Sequence, residues 1–225
     1  MNEVEQVRIW DVWVRLFHWS LAISVVFMLI SGVTGWMFFD WHRTVGEWVM
    51  VLVVFRILWG IVGSSNARLS QLVHSPRASF EHLAALFKHR LRSERGHNAA
   101  GGWAVLLMLL LIGVQAVTGF FIADEDELIE GALYGSLSGS STDLMHRIHH
   151  INAELLQIVV IVHVVMVFVY LLYGRQNLIS PMVHGAMKWS SDTAIPRAIF
   201  QSGWIGAAML ALSLVVVGYV AGWYR

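Results

Sequence analysis

Two histidines, His149 and His163, lie fourteen residues apart in a segment that is otherwise apolar. In an α-helix, fourteen residues complete just under four turns, so both rings point within roughly 40° of one direction. They are separated by about 21 Å along the helix axis. This predicts one imidazole near each edge of a hydrocarbon core about 30 Å thick. Histidine is costly in lipid, and one placed there usually marks a functional site.

Two further histidines, His18 and His42, lie near the starts of other apolar segments. Because successive spans alternate in direction, His42 and His149 are expected in an outer layer, and His18 and His163 in an inner one. Each layer then combines one histidine of the shared segment with one from another helix. Two facing imidazoles at one level are what an iron porphyrin needs at its two axial positions.

Other interpretations of these histidines stay open. His150 competes with His149, but thirteen residues to His163 correspond to about 220° of rotation, which puts those two rings on opposing faces. A single intramembrane histidine is more often a hydrogen-bonding residue between helices than a metal ligand. Zinc or copper is a weaker alternative, because two histidines without cysteine or a nearby carboxylate make a poor tetrahedral site. Six more histidines are expected in loops or at their margins, mostly solvated: His74, His82, His89, His97, His146 and His184.

Two arginines and two glycines are candidates for holding such a group. Arg56 lies inside an apolar span and needs an anionic partner, for which a haem propionate is suitable. The alternative is that Arg56 snorkels to the interface. Arg15, one turn before His18, is a second candidate for propionate contact. Gly32 and Gly46 would let a neighbouring helix or a flat macrocycle approach closely, and plain helix packing explains them equally well.

The composition is that of a polytopic membrane protein. The 225 residues are 57% hydrophobic and only 13% charged, and the formal net charge is zero, so nothing indicates a nucleic-acid partner. The chain has no cysteine. This excludes disulfides, thiolate metal sites, iron–sulfur clusters and covalent haem attachment. Any cofactor must therefore be held non-covalently.

Five apolar windows predict an all-α integral membrane protein with five spans in contact with lipid. Their approximate bounds are 16–39, 44–63, 102–123, 149–173 and 199–223. Eleven of the fifteen Lys and Arg residues fall before the first span or in the second and fourth loops. The positive-inside rule then predicts a cytoplasmic N-terminus and a periplasmic C-terminus. The third loop, 123–145, is acidic, and is either a solvated connector or a docking face for a basic partner.

Several motifs fall in order on these spans. They are "VRLFHWSLA" on the first, "DWHRTVGEW" and "RILWGIVGSSNARL" on the second, "GHNAAGGWAVLLMLLLIGVQAVTGFF" on the third and "HHINAELLQIVVIVHV" on the fourth, followed by "NLISPMVHG". In these motifs the chain resembles the bacterial cytochrome b561 family, in the group that includes the b-type cytochrome subunit of nickel–iron hydrogenases. The resemblance covers about residues 8–190.

The resemblance implies a four-helix transmembrane bundle that holds two b-type haems in a bacterial inner membrane. It assigns the iron ligands to His18, His42, His149 and His163, and it implies electron exchange with the quinone pool. Residues 8–190 would form the di-haem domain, and 191–225 would add a fifth C-terminal span. That span could be accessory, a partner-binding helix or a contact in a homodimer.

The leading functional hypothesis is an electron carrier between quinone and a periplasmic redox partner, such as a c-type cytochrome or an oxidoreductase subunit. Two axial histidines leave no open iron position, which favours one-electron transfer. A stand-alone superoxide or quinone oxidoreductase is an alternative, as is the membrane-anchor subunit of a hydrogenase-like respiratory complex. Whether the chain is itself an enzyme stays open. A non-redox transporter or scaffold with buried histidines is the remaining alternative.

Overall fold

Five long apolar helices form most of the part of the chain that the structure describes. The computed structural model describes residues 4–34, 40–88, 96–124, 129–190 and 198–225. The long helices are α1 (Val12–Thr34), α2 (Asp40–Val62), α4 (Ala99–Gly119), α5 (Gly139–Leu172) and α7 (Gly203–Ala221). Each is long and apolar enough to cross a membrane. The prediction of five spans and of a mostly helical membrane protein is confirmed.

Short elements connect or flank the long helices, and none of them was expected from the sequence. They are α3 (Pro76–Phe87), α6 (Ile179–His184), two 3₁₀ turns (Ser65–Ala67 and Leu69–Gln71) and the strands β1 (Val4–Arg8), β2 (Ala123–Asp124), β3 (Ile129–Glu130) and β4 (Ala186–Ser190). β1 pairs antiparallel with β4, and β2 pairs antiparallel with β3. The helix α3 begins at a recognisable cap, because the Ser75 hydroxyl accepts a hydrogen bond from the Ala78 N–H and Pro76 follows.

Two boundaries correct the expectations. α5 begins at Gly139, ten residues before the predicted start at 149, so part of the Gly- and Ser-rich stretch is helical and the third loop is shorter than 123–145. α1 begins at Val12 rather than 16. There Asp11 caps the helix, since its Oδ1 accepts the Val14 N–H at 2.8 Å. Parts of the predicted first span (35–39), basic second loop (89–95), acidic loop (125–128) and fourth loop (191–197) lie outside the described residues.

The chain divides into two compact units, each built from several segments. The first unit is Met1–Leu16, Ile57–Leu107 and Ile161–Gly206; the second is Phe17–Arg56, Met108–Val160 and Ala207–Arg225. The division into domains at residue 190 stays a prediction.

In the first unit, the chain before α1 is tied to the segment after α5. The backbone N–H groups of Ile9 and Trp10 donate to the Gly185 carbonyl, at 2.8 and 3.1 Å. Gly185 follows α6 in a left-handed conformation, φ +84°, which glycine adopts without steric cost. The β1–β4 pair continues this attachment.

In the second unit, α2 lies among helices that bury apolar side chains against it. One cluster joins Val49 and Val53 of α2 to Ile112 of α4 and Leu156 of α5. A second cluster consists of Val51, Phe120, Val217 and Ala221, and it brings α7 into the same core. The Trp223 indole N–H, just beyond α7, donates to Glu47 Oε2 at 2.7 Å. The fifth span is therefore packed into this unit by both apolar and polar contacts.

Candidate functional site

His42 stands on the first turn of α2 and is held by α1. Its Nδ1 lies 2.8 Å from the Ser31 hydroxyl oxygen, within hydrogen-bond distance. Ser31 is 2% exposed. The next residue, Gly32, lies against the same ring, because a Cβ built there would be 3.3 Å from His42 Cε1. The His42 ring is therefore fixed in direction by a hydroxyl and by a close backbone approach.

His149, on α5, is held by α4 in the same way. Its Nδ1 lies 3.0 Å from the Thr118 hydroxyl oxygen. Thr118 is 3% exposed. A Cβ built at the following residue, Gly119, would be 3.3 Å from His149 Cε1. A hydroxyl residue followed by glycine thus supports each of the two rings.

His42 and His149 belong to the same compact unit, and their side chains lie within electrostatic range of each other. We call them the outer pair. Both rings are half-buried, and each is anchored through Nδ1, so Nε2 is the nitrogen that would bind a metal. Four helices contribute to this arrangement: α2 and α5 carry the imidazoles, and α1 and α4 carry the hydroxyls.

The two histidines predicted for the inner layer are half-buried, and they fall in different units. His18 lies on α1 in the second unit, with its ring edge-on to Trp19 at a centroid distance of 5.1 Å. His163 lies on α5 in the first unit. The inner pair stays a prediction from the sequence.

Arg56 is buried within the protein, at 3% exposure, although it lies inside a span. Its guanidinium carbon is 6.0 Å from the centre of the Phe17 ring, a cation–π distance. This burial argues against the alternative in which Arg56 snorkels to the interface.

Arg15 and Gly46 have contacts within the protein. The Arg15 Nη1 donates to the Val183 carbonyl at 2.7 Å, while its Nε is buried with no hydrogen-bond partner among the described residues. A Cβ built at Gly46 would be 3.4 Å from Met28 Cε, an ordinary packing distance between α2 and α1. The structure thus leaves the packing interpretation of Gly46 in place.

Three of the histidines expected in loops or at their margins lie in helices among the described residues: His82, His146 and His184, the last residue of α6. His82 is a correction to the expectation of solvated side chains: it lies on α3, is 9% exposed and has its Nε2 2.8 Å from the Tyr170 hydroxyl. His146 lies within α5, with its Nε2 3.2 Å from His150 Nε2. Both of these α5 residues are exposed and line an open cavity of about 420 Å³ together with Asp143, Arg147 and Ile151.

Comparison with known proteins identifies the family. Residues 9–185 match the family described as prokaryotic cytochrome b561. The chain belongs to the prokaryotic cytochrome b561 family. It is therefore a multi-pass membrane cytochrome of the electron-transfer type, and the family implies haem b as its cofactor.

Relatives of this cytochrome carry a common description, "Probable Ni/Fe-hydrogenase B-type cytochrome subunit". The protein of Rhizobium leguminosarum bv. viciae is 25% identical over 217 residues, covering 81% of this chain and 89% of the relative. That of Azotobacter vinelandii is 27% identical over 218 residues, covering 83% and 90%. That of Cupriavidus necator is 25% identical over 221 residues, covering 82% and 88%. The similarity extends over nearly the whole length of each relative.

The outer pair fits a haem held by two histidines. The donors would be the Nε2 atoms of two imidazoles on separate helices, α2 and α5. Among the described residues there is no group of three or more histidine, cysteine, aspartate or glutamate side chains that could hold a metal ion. A structural zinc site would need such a group, whereas a haem iron needs only two axial ligands because the porphyrin supplies the other four. The close approach of Gly32 and Gly119 leaves no side chain between each ring and its supporting helix.

The supporting hydroxyls were not predicted from the sequence. Neither Ser31 nor Thr118 was among the candidate residues. A pattern was nevertheless present, because Ser31–Gly32 and Thr118–Gly119 repeat a hydroxyl residue followed by glycine inside two different spans. The sequence does not show how α1 and α4 are rotated about their axes, and this rotation is what turns the two residue pairs toward α2 and α5.

Proposed function

We propose that this cytochrome carries electrons across a bacterial inner membrane through two b-type haems, each with two histidine ligands. His42 and His149 would bind the outer iron, and His18 and His163 the inner one. The observation that carries the proposal is the matched anchoring of His42 and His149 through Nδ1, which is the arrangement of histidines that bind a metal through Nε2. The shared helix α5 supports the second site, since His163 follows His149 by fourteen residues.

The chain's own residues determine what chemistry is favoured. When bound, the haem supplies a one-electron iron couple. With two histidines holding each iron, the protein would leave no iron position for oxygen or substrate. The apolar residues around α2, including Val49, Val53 and Leu156, exclude water from the core of the unit that holds the outer pair. Such a site favours electron transfer over catalysis at the metal.

We propose quinone as the redox partner within the membrane and a periplasmic protein as the partner outside it. The charge distribution supports a cytoplasmic N-terminus, because eleven of the fifteen basic residues lie on the side of the N-terminus. The outer pair would then be near the periplasmic surface. The acidic third loop, which includes Asp124 and Glu130 among the described residues, would attract a basic partner such as a c-type cytochrome.

A second candidate is the membrane-anchor subunit of a respiratory complex of the hydrogenase type. The observation that favours it is the description shared by the relatives, each named as a probable cytochrome subunit of a nickel–iron hydrogenase. In this case a large redox protein would dock at the periplasmic end and would be recovered together with the cytochrome.

Counting haems in matched variants tests the proposal. Purified protein is expected to show a b-type spectrum with about two haems per chain by pyridine haemochrome assay. H42A and H149A should each lower the ratio to about one, whereas the neighbouring H150A should keep two. A reduced short-chain quinone should reduce both haems of the unmodified protein in proteoliposomes. One haem per chain in the unmodified protein, or equal loss in H149A and H150A, would contradict the ligand assignment.

A further inference from the structure

We propose that Ser31 and Thr118 are positioning residues for the outer haem: each selects the tautomer and the rotation of one ligand imidazole. This inference rests on the proposed function, because it concerns the residues that hold the proposed iron ligands. It assigns a role to two buried hydroxyls that contact the proposed ligand imidazoles.

The hydrogen-bonding capacity of Thr118 determines the direction of its bond to His149. A hydroxyl group has one hydrogen to donate. The Thr118 Oγ1 lies 2.9 Å from the Val114 carbonyl and 3.1 Å from the Gln115 carbonyl, and a carbonyl can only accept. The hydroxyl hydrogen is therefore used within α4. The remaining lone pair then accepts from His149, so the hydrogen of that imidazole is on Nδ1.

Ser31 repeats the arrangement on α1. Its Oγ donates to the Met28 carbonyl at 3.2 Å and lies 2.8 Å from His42 Nδ1. The same reasoning places the hydrogen of the His42 ring on Nδ1. Because a neutral imidazole carries one hydrogen, Nε2 of both rings keeps its lone pair for iron. Two helices thus provide the same support to two ligands.

Each hydroxyl residue acts together with the glycine that follows it in the chain. At Gly32 and Gly119 a Cβ would lie 3.3 Å from the Cε1 of the supported ring, which is tighter than most packing contacts. The hydroxyl holds Nδ1, and the missing side chain allows the ring to come that close to the helix. Together they restrict rotation of the imidazole about its Cβ–Cγ bond.

The hydrogen bond at Nδ1 would also change the affinity for haem and the midpoint potential of its iron. A ligand histidine that donates through its second nitrogen is a stronger electron donor and binds metal more tightly, and loss of such a partner typically costs about 10- to 100-fold in metal affinity. Removing the hydroxyl should therefore weaken the outer haem and make its reduced form easier to reach. The inner haem should not respond.

The test compares Thr118→Val with Thr118→Ser, which keeps the hydroxyl, and Ser31→Ala with Thr34→Ala. Thr34 is a matched control on α1, because its hydroxyl donates to the Ile30 carbonyl at 2.7 Å and contacts no histidine in the described part of the chain. Transfer of haem to apomyoglobin gives the dissociation rate, and a redox titration gives the two midpoint potentials.

T118V and S31A are expected to release one haem about tenfold faster or more and to raise one midpoint potential, with the other unchanged. T118S and T34A should behave as the unmodified protein. If T118V does not accumulate in membranes, S31A carries the same test. Unchanged release rates and potentials in S31A and in the S31A/T118V double variant, with two haems bound, would overturn the positioning role and leave the proposed function intact. Absence of haem from the unmodified protein would instead overturn the proposed function.

Discussion

At the scale of single residues, the environment of a polar side chain decides whether it is structural or belongs to the redox site. The His82 Nε2 lies 2.8 Å from the Tyr170 hydroxyl oxygen, and this contact joins α3 to α5. A structural role therefore explains His82. The outer pair is different, because each ring has its Nδ1 within hydrogen-bond distance of a hydroxyl on a neighbouring helix. Ligand histidines in metal sites commonly have this arrangement of one nitrogen to the protein and one to the metal.

Arg56 gives a residue-scale prediction. It is 3% exposed, and a buried guanidinium stabilises a nearby anion such as a haem propionate. Loss of its positive charge favours the oxidised haem, so R56Q should lower one midpoint potential and reduce haem content, while R56K should show a smaller shift. Redox titration of the purified variants measures this.

The matched control for Arg56 is R77Q. Arg77 forms an exposed pair with Glu81 at 2.7 Å, and such pairs contribute little to stability or to a distant site. Both potentials should stay at their original values in R77Q. Unchanged potentials in R56Q as well would show that Arg56 has no role at either haem.

At the scale of elements, the long helices could be predicted because twenty apolar residues are a strong and local pattern. The start of α5 could not, because glycine and serine have low helix propensity and 135–142 resembles a loop. The helix nevertheless begins at Gly139. The helix α3 was not predicted, because its twelve residues contain no long apolar stretch, although Ser75 and Pro76 form a typical helix start.

The β1–β4 pair could not be predicted for another reason. It joins residues 4–8 to 186–190, and such pairing depends on the packing of everything between them. The proposed ligands His149 and His163, by contrast, were predicted from one spacing on one helix. The hydroxyl partners of His42 and His149 required the relative rotation of neighbouring helices, which only the fold supplies.

Gly185 gives an element-scale prediction, because it ends α6 with φ +84° and receives two backbone hydrogen bonds from the chain before α1. A Cβ there would lie 3.0 Å from the Trp10 carbonyl oxygen. G185A should therefore cost about 1–2 kcal/mol from the left-handed conformation alone, and more from the contact. The expected result is a lower thermal midpoint in detergent, followed by tryptophan fluorescence.

Two other glycines serve as controls that separate the cost of the left-handed conformation from the cost of the steric contact. G135A has the same positive φ (+78°) but nothing within 4 Å, so it isolates the conformational cost. G203A lies at the start of α7 with open space and no positive φ, and its midpoint should not fall. A G185A midpoint equal to that of G203A would show that the attachment at Gly185 does not limit stability.

At the scale of the whole molecule, the surface and the charge distribution agree with a membrane cytochrome. The spans expose large apolar side chains, such as Ile23 at 70%, Leu110 at 64% and Tyr219 at 74%, where lipid would cover them. The two connections that differ most in charge are the basic second loop and the acidic third loop. These two loops flank the span α4, so in the proposed electron carrier they would face different partners.

The orientation can be measured directly because the chain has no cysteine, so any introduced thiol is unique. Ser70, in the second loop, and Ser140, at the start of α5, are both exposed and are suited to single substitutions. A membrane-impermeant maleimide should label S140C in intact spheroplasts and S70C only in inside-out vesicles, because the positive-inside rule places the basic loop in the cytoplasm. A haem spectrum identical to that of the unmodified protein controls for folding. The reverse labelling pattern would place the outer pair at the cytoplasmic side, and the periplasmic partner would then have to meet the inner pair instead.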